Sequence, residues 1–286
     1  MVSTLPTLDP KVLTWLELGE QIELQLAPLG RPAIEALGLG PGERVLDVGC
    51  GVGRTPAALA EAVGLTGGVV GLELLPAAVE AARRHRGQPP NISFECGDAQ
   101  SFPLQPHSLD AVFSRFGMMF FDEPRAAFAN LCQALRPGGR LSFVCWRALE
   151  ENELDALPLA AAAPHLPQEL LRRAAQSAPF SLSDPEQIKR LLSEVGLLGV
   201  RVDAHDTMVS SGDLESMVEV CSRVGALGAI LREHPDLRAR AVAALRAALA
   251  QRDTPSGPCL RAATWVVSAR VSSVWEHHRQ LGAIAE

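Results

Sequence analysis

Hydrophobic and polar positions follow two different periodicities along the chain, and the first stretch has the helical one. Apolar residues recur every three or four positions over residues 11–26, which predicts an amphipathic helix. These positions are Val12, Leu16, Gly19, Ile22 and Leu26. A second short helix is predicted over residues 31–37, ahead of the glycine- and proline-rich turn at 38–42.

Short aliphatic and β-branched runs then alternate with helical patterns. Strands are predicted over residues 44–48, 69–72, 92–95, 109–114 and 140–146. Helices are predicted over residues 55–63, 76–84 and 123–135, with Thr55 as the cap of the first. This alternation predicts an α/β fold, a doubly wound and mostly parallel sheet.

The rhythm changes after Trp146. Residues 148–180 are rich in alanine, leucine and proline and predict short helices. Further elements are predicted as a helix at 184–195 capped by Ser183 or Asp184, a strand at 200–203, helices at 214–231 and 235–250, and a strand at 264–269. Because no linker separates these parts, residues 1–286 are expected to form one domain. Residues 148–182 and 207–258 are expected to be helical insertions, a candidate substrate lid.

Composition narrows the class of partner. The 286 residues carry a formal charge of −7, which disfavours nucleic acid as a partner. The six cysteines form no Cys-x-x-Cys pair, no histidine cluster has zinc spacing, and His277-His278 is expected to be solvated, so no metal is expected. Since neither a leader nor a long apolar stretch is found, a cytoplasmic protein without a membrane span is expected.

The segment from Asp47 to Arg54 contains the most informative motif, Gly49-x-Gly51-x-Gly53 between a strand and a helix. Glycines at such a turn let the backbone bend sharply and approach a ligand closely. A dinucleotide fingerprint needs Gly-x-Gly-x-x-Gly, but Arg54 stands where the third glycine should be. Asp47 would also repel a pyrophosphate. An ammonium or sulfonium ligand therefore suits this loop better.

Two acidic positions follow the next strands. Glu73 ends the second strand, where a carboxylate can accept hydrogen bonds from a ribose diol. Gly97-Asp98-Ala99 follows the third strand, so that Asp98 could accept a hydrogen bond from an adenine amino group. Three such motifs in order, each after its expected strand, favour a nucleoside-binding site.

With these motifs, and with Leu135-Arg136-Pro137-Gly138-Gly139 before the fifth strand, residues 28–146 resemble the class I S-adenosylmethionine-dependent methyltransferases. The resemblance is nearest to the small-molecule branch that includes ubiquinone and menaquinone methyltransferases. It implies a seven-stranded sheet of order 3-2-1-4-5-7-6 with the last strand antiparallel. The apolar face of the first helix must also pack on another part of the chain, so the helices of residues 1–40 are expected either over the cofactor cleft or against the sheet edge. The resemblance implies that S-adenosylmethionine is the cofactor, with these binding residues: Asp47, Gly49, Cys50, Gly51, Glu73, Leu74, Gly97, Asp98, Ala99 and Ser114.

The reaction needs few side chains, because the sulfonium is already activated and alignment of the reactants in a dry pocket supplies most of the acceleration. The expected reaction is a direct in-line transfer of the methyl group to a small, apolar or aromatic metabolite. Candidate catalytic groups are His205 at the end of the sixth strand, Arg115 and Arg147, the last of which is equally suited to an ion pair with Glu150 or Glu151. Candidate acceptor-lining residues are Trp15, Phe116, Met118, Met119 and Trp146.

Several interpretations stay open from the sequence. One is a catalytically silent adenosylmethionine-binding regulatory or scaffold protein. Another is a nicotinamide oxidoreductase, which Arg54 and Asp47 disfavour. The acceptor atom (O, N or C) and a homodimer are left undecided.

Overall fold

Strands of the described residues form one mixed sheet in this computed structural model, which describes residues 9–85, 87–252 and 254–273. The strands are β1 (Arg44–Val48), β2 (Gly68–Glu73), β3 (Ile92–Cys96), β4 (Leu109–Arg115), β5 (Leu135–Trp146), β6 (Leu198–Val209) and β7 (Leu260–Arg270). Their order is β3-β2-β1-β4-β5-β7-β6, and β7 runs antiparallel to both neighbours. The predicted seven-stranded, doubly wound sheet is therefore confirmed.

Helices cover both faces of the sheet. They are α1 (Pro10–Glu17), α2 (Gly19–Leu37), α3 (Arg54–Val63), α4 (Pro76–Arg84), α5 (Pro124–Ala134), α6 (Glu153–Ala162), α7 (Gln168–Ala175), α8 (Pro185–Glu194), α9 (Leu214–Arg223), α10 (Gly225–Glu233) and α11 (Arg238–Ala250). Short 3-10 turns occur at Met118–Phe120, Leu149–Glu151, Ala163–His165, Ala178–Phe180 and Pro235–Leu237. The predicted cap of α8 is confirmed at Asp184, whose Oδ1 accepts a hydrogen bond from the Glu186 N–H at 2.9 Å.

The N-terminal helices divide at a different place from the one predicted. The break falls at Leu18, and α2 continues through Pro28 and Pro32 to the left-handed Gly38, which ends it. A proline inside a helix costs about 3 kcal/mol, but α2 offsets this cost by burying one face along its whole length. The buried residues of that face include Ile22, Leu26, Leu29, Ala33 and Leu37. The predicted burial of Leu16 is wrong, since it is 46% exposed on α1.

Other element boundaries also differ from the sequence prediction. The helix before Pro137 ends at Ala134, and the Pro-Gly-Gly segment already belongs to β5. Strands β6 and β7 pair over most of their length, and with 12 and 11 residues they are about three times and about twice as long as predicted. The helix predicted over 214–231 is divided at Val224, because Gly225 has a φ of +73°. Thr55 does not cap α3, since its hydroxyl donates to Asp47 instead.

The core lies on both sides of the sheet. One face of β1 and β4 packs with α2 and α3, around Val45, Phe113 and Leu59. Helix α8 packs against β6 and α5, and α5 against β5. The helices α6, α9, α10 and α11 pack against one another and extend the core towards α2. The predicted helical segments after β5 are therefore present as short helices.

Within the described residues, none of the helices is both long enough and apolar enough to cross a membrane. The same residues bring no three or more His, Cys, Asp or Glu side chains together in a way that could hold a metal ion.

Candidate active site

The glycine loop between β1 and α3 turns at three left-handed residues. Gly49, Gly51 and Gly53 have φ values of +71°, +55° and +85°. A Cβ on Gly49 would lie 2.9 Å from the backbone of Gly117, so this glycine permits close packing against the turn after β4. A Cβ on Gly51 would meet no atom within 4 Å. Gly51 is therefore the position at which a ligand can approach this backbone.

Glu73 at the end of β2 is joined to the glycine loop. One carboxylate oxygen accepts the Gly51 N–H at 3.0 Å, and the other accepts the Leu75 N–H at 3.0 Å. An ionised carboxylate has about four acceptor sites, so Glu73 keeps capacity for two further donors. Leu74 beside it is 61% exposed, which offers an apolar surface at the same edge.

The third motif lies at the end of β3. Both oxygens of Asp98 accept hydrogen bonds from Gln100, at 2.9 Å from its backbone N–H and 2.8 Å from its side chain. Gly97 permits the ring of Phe102 to pack against it, and Ala99 is buried. Gln100 was not predicted as a site residue, because a glutamine after a strand has no distinctive sequence pattern.

Asp47 is a fully buried carboxyl group beside the loop. The Thr55 hydroxyl donates to its Oδ2, whereas Oδ1 has no hydrogen-bond partner among the described residues. Burial raises the pKa of Asp47 from an ordinary value of about 4 to about 7, although the Thr55 hydrogen bond and the nearby Arg115 oppose the shift. A buried acceptor without a partner is costly, so this atom suits a donor or cation from a ligand.

Arg115 at the end of β4 joins the sheet to α2. Its two Nη atoms donate to the Glu23 carboxylate at 2.8 and 2.7 Å, and its side chain is only 9% exposed. Gly30 makes room for it, because a Cβ there would lie 2.7 Å from the Arg115 Cδ. Both Nη atoms are thus engaged by Glu23, so the structure favours a positioning role over the predicted contact with reactants. Glu23 was missed because it is 92 residues away in sequence.

Two other predicted catalytic residues lie elsewhere. Arg147 pairs with Glu151, one of the two partners considered from the sequence, and with Asp206 at 2.8 Å. His205 was predicted at the end of β6 but lies four residues before it, in a groove of about 440 Å³ with Pro32 and Glu35. Four strand spacings separate β6 from β1, or about 19 Å. The structure therefore does not bring His205 to the glycine loop.

The predicted acceptor-lining residues fall into two groups. Met118 and Met119 are 1% and 2% exposed and belong to the core. Phe116, with an unusual φ of +61°, stacks on Trp146 with ring centroids 4.1 Å apart. Both aromatic residues are partly buried, as is Trp15 on α1. Lining of an acceptor pocket by these five residues stays a prediction.

Cys50 lies in the glycine loop and Ser114 lies at the neighbouring end of β4, and both side chains are buried. The Cys50 side chain is buried with Val79 and Phe94, and burial raises the pKa of its thiol. The fully buried Ser114 hydroxyl donates to the Val48 carbonyl at 2.7 Å and accepts the Gly117 N–H at 3.1 Å. Ser114 therefore fixes the end of β1 against the turn that packs on Gly49.

Comparison with known families agrees with this fold. Residues 45–139 match the family model described as a methyltransferase domain. These residues are therefore similar to a methyltransferase domain, and the observed strand order is the one that the family resemblance implies.

Individual relatives agree with that class. The demethylmenaquinone methyltransferase of Renibacterium salmoninarum is 38% identical over 111 residues, 39% of this chain and 44% of the relative. The chain thus spans less than half the length of the first curated relatives that it matches. The solved structure of the YcgJ protein from Bacillus subtilis has a TM-score of 0.58 at 18% identity, covering 86% of this chain and 99% of that one. The 4+2 cyclase SpnF has a TM-score of 0.52 at 23% identity, covering 86% and 81%. These two structures show the fold alone.

The buried Asp47 predicts an unusual dependence of stability on pH. Its folded-state pKa is raised, so the native state holds the proton more tightly than the unfolded chain, and stability is lost as pH rises from about 4 towards about 7. Between pH 6.0 and 8.0 we expect the wild type to lose on the order of 1 kcal/mol more than Asp47→Asn. Urea unfolding at both pH values measures the difference. Burial also raises the pKa of Asp155, but Asp155 is present in both proteins, so its contribution cancels in the comparison. Equal losses would contradict the assignment to Asp47.

Proposed function

We propose that this chain binds S-adenosylmethionine at the glycine loop and transfers its methyl group to a small apolar or aromatic acceptor. The observation that carries the proposal is the arrangement around Gly51. Open space lies over this residue, the Glu73 carboxylate is joined to its N–H, and the unpartnered Oδ1 of Asp47 is buried beside the loop. A neutral nucleoside with a cationic end fits these groups, whereas a pyrophosphate would meet two carboxylates.

The residues at the ends of three strands would hold this cofactor. Glu73 retains acceptor sites for the two ribose hydroxyls, and Asp98 retains them for the adenine amino group. Leu74 provides an apolar surface for the adenine ring, and Asp47 provides an unpartnered carboxyl oxygen near the methionine end. When bound, the cofactor supplies a methyl group on a positively charged sulfur, which is a good leaving group. The chain then needs only to orient the acceptor and exclude water.

The acceptor is proposed to lie near the stacked rings of Phe116 and Trp146. A left-handed conformation at a phenylalanine costs about 1–2 kcal/mol, and such strain is often concentrated at functional sites. Aromatic rings there favour a flat, apolar acceptor. Of the three predicted catalytic side chains, Arg115 and Arg147 are ion-paired and His205 is distant. The proposal therefore needs no general base from these three residues.

The N-terminal helices are proposed to close the cofactor cleft. Helix α1 contacts both α2 and α4, the helix that follows Glu73. Arg223 of α9 pairs with Glu17 of α1 and donates to Thr14 at 3.3 Å, which joins the helical insertions to α1. The helices within residues 1–40, together with the insertions at 148–182 and 207–258, would thus form one cover over the site.

Two further expectations belong to this proposal. The six cysteines are all free thiols, which supports a reducing, cytoplasmic compartment for the reaction. A catalytically silent adenosylmethionine-binding protein is the second candidate, because Arg115 and Arg147 are ion-paired and His205 is distant, so that none of these three residues offers a free acid or base at the glycine loop.

Turnover separates the two candidates. The chain is incubated with methyl-labelled S-adenosylmethionine and a panel of quinols, phenols and a metabolite extract, and S-adenosylhomocysteine and labelled products are measured by mass spectrometry. Acceptor-dependent formation of both is expected. Cofactor binding without turnover on any acceptor would favour the silent protein.

Replacement of Glu73 tests the ribose contact. We expect Glu73→Ala to weaken S-adenosylhomocysteine binding by about 1–3 kcal/mol, since charge-assisted hydrogen bonds are lost. Calorimetry measures the dissociation constant, and the thermal midpoint checks the fold. Glu95→Ala, an exposed glutamate on neighbouring β3, is the control and should bind normally. An unchanged dissociation constant for a folded Glu73→Ala would refute the assignment.

A further inference from the structure

Strand β6 lies at one edge of the sheet. It pairs with β7 along one side, and among the described residues no strand lies along its other side. The strand is 12 residues long, and its register with β7 is unbroken from Arg201 to Val209. Backbone N–H and C=O groups along such an edge can pair with a further strand. The outer edge of β6 is therefore long and regular enough to accept one.

Sheet edges usually carry features that discourage pairing, and β6 has few of them. Neither lysine nor proline occurs between Leu198 and Val209, and the irregular part of the strand lies at its start, before Arg201. Large apolar side chains at its two ends, Leu198 and Met208, are 49% and 56% exposed. Charged side chains are therefore the main feature that would keep this edge from pairing.

The two faces of β6 differ in chemistry. Val200 and Val202 pack against the apolar core on the side of α8. Arg201, Asp203 and His205 lie on the other face, in the groove beside α2. Arg201 and Asp203 are 72% and 57% exposed and pair with each other at 3.1 Å. An exposed ion pair of this kind contributes little to stability, so both side chains can exchange it for other partners.

These charges are self-complementary when β6 pairs antiparallel with β6 of a second copy. A twofold axis perpendicular to the sheet at Val202 leaves every side chain on its own face. In that register Arg201 of each copy lies opposite Asp203 of the other, which forms two opposite-charge pairs. On the other face Val202 lies opposite its own copy, and Val200 lies opposite Ala204. An axis at Asp203 would instead place two aspartates opposite each other, which is destabilising.

We propose that the outer edge of β6 is a dimer interface, at which two copies of this chain join their sheets through antiparallel β6 strands. Because each copy uses the same surface, the assembly closes at two chains and leaves neither edge of β6 unpaired. The inference is independent of the proposed function, since β6 is four strand positions away from β1 and its glycine loop. The dimer should therefore form with or without cofactor.

Charge reversal tests both the surface and its register. Sedimentation velocity is measured on the full chain from about 1 to 100 µM, a range in which dimers of ordinary affinity dissociate or form. The wild type should dimerise. Arg201→Asp and Asp203→Arg should each raise the dimer dissociation constant by at least about tenfold, because two attractive pairs become two repulsive ones.

Mixing the two variants makes the test specific for the register. One chain then carries two acids at these positions and the other carries two bases, so an equal mixture should dimerise again. The double variant Arg201→Asp with Asp203→Arg should also dimerise by itself. Arg84→Asp is the control, because it changes an exposed charge on α4, which packs on β3 at the opposite edge of the sheet. This control should dimerise like the wild type.

Thermal unfolding checks that each variant is folded. A wild type that stays monomeric, reversals that leave the dimer intact, or a mixture that stays monomeric would each overturn the proposal. If a reversal fails to fold, Arg201→Gln and Asp203→Asn replace the two reversals, and each should weaken the dimer by about threefold or more. Unchanged dimerisation of both milder variants would likewise overturn it.

Discussion

Replacement of Gly51 by valine should raise the dissociation constant for S-adenosylmethionine by at least about 100-fold while the sheet remains folded. The space above Gly51 contains no protein atom within 4 Å, so the new side chain would fill the volume that the ligand needs. Calorimetry measures the binding, and circular dichroism with thermal unfolding measures the fold.

Gly38→Val is the matched control for this substitution. Gly38 ends α2, has a φ of +54° against +55° at Gly51, and also has open space around its Cβ position. Both variants carry a left-handed valine, which costs about 1–2 kcal/mol and should lower the two melting temperatures by similar amounts. Normal cofactor binding by Gly51→Val would show that the ligand does not approach this loop.

Removal of the Arg115 guanidinium should be the most destabilising single change outside the apolar core. Arg115→Met leaves Glu23 without its bidentate partner and removes a positive charge that lowers the pKa of the buried Asp47. Breaking a buried ion pair from one side typically costs 3–5 kcal/mol, and because Glu23 is 29% exposed we expect about 3 kcal/mol here. Urea unfolding measures the loss.

Two further variants make this test specific. The double variant Arg115→Met with Glu23→Leu should recover part of the loss, since no unpaired carboxylate remains beneath α2. Lys189→Met breaks the exposed pair with Glu186 and should cost less than about 1 kcal/mol. If Arg115→Met is as mild as Lys189→Met, then the Arg115–Glu23 pair does not hold α2 to the sheet.

Local patterns in the sequence were sufficient to predict the alternation of strands and helices from β1 to β5. Helix α4 was predicted with its observed bounds, because Pro76 suits a first helical turn and its apolar positions have helical spacing. The division of the N-terminal helices was predicted wrongly, since Pro28 and Pro32 resemble helix breaks until the burial of α2 against four strands is known. Periodicity cannot predict the order of the strands in the sheet, and this order came from the family resemblance.

The candidate site also contains both residues that could be predicted from the sequence and residues that could not. Gly51, Glu73 and Asp98 could be found from the sequence because each follows a strand, and the carboxyl ends of parallel strands meet at one edge. Glu23 could not, since its contact with Arg115 depends on how α2 crosses the sheet.

Calorimetric titration of the wild-type chain with S-adenosylhomocysteine, alongside the nicotinamide dinucleotides, decides which cofactor the glycine loop binds. We expect one binding site per chain for S-adenosylhomocysteine and no measurable heat from NAD⁺ or NADPH, whose pyrophosphates would meet Asp47 and Glu73. Saturable binding of a nicotinamide dinucleotide without any binding of S-adenosylhomocysteine would contradict the proposed cofactor.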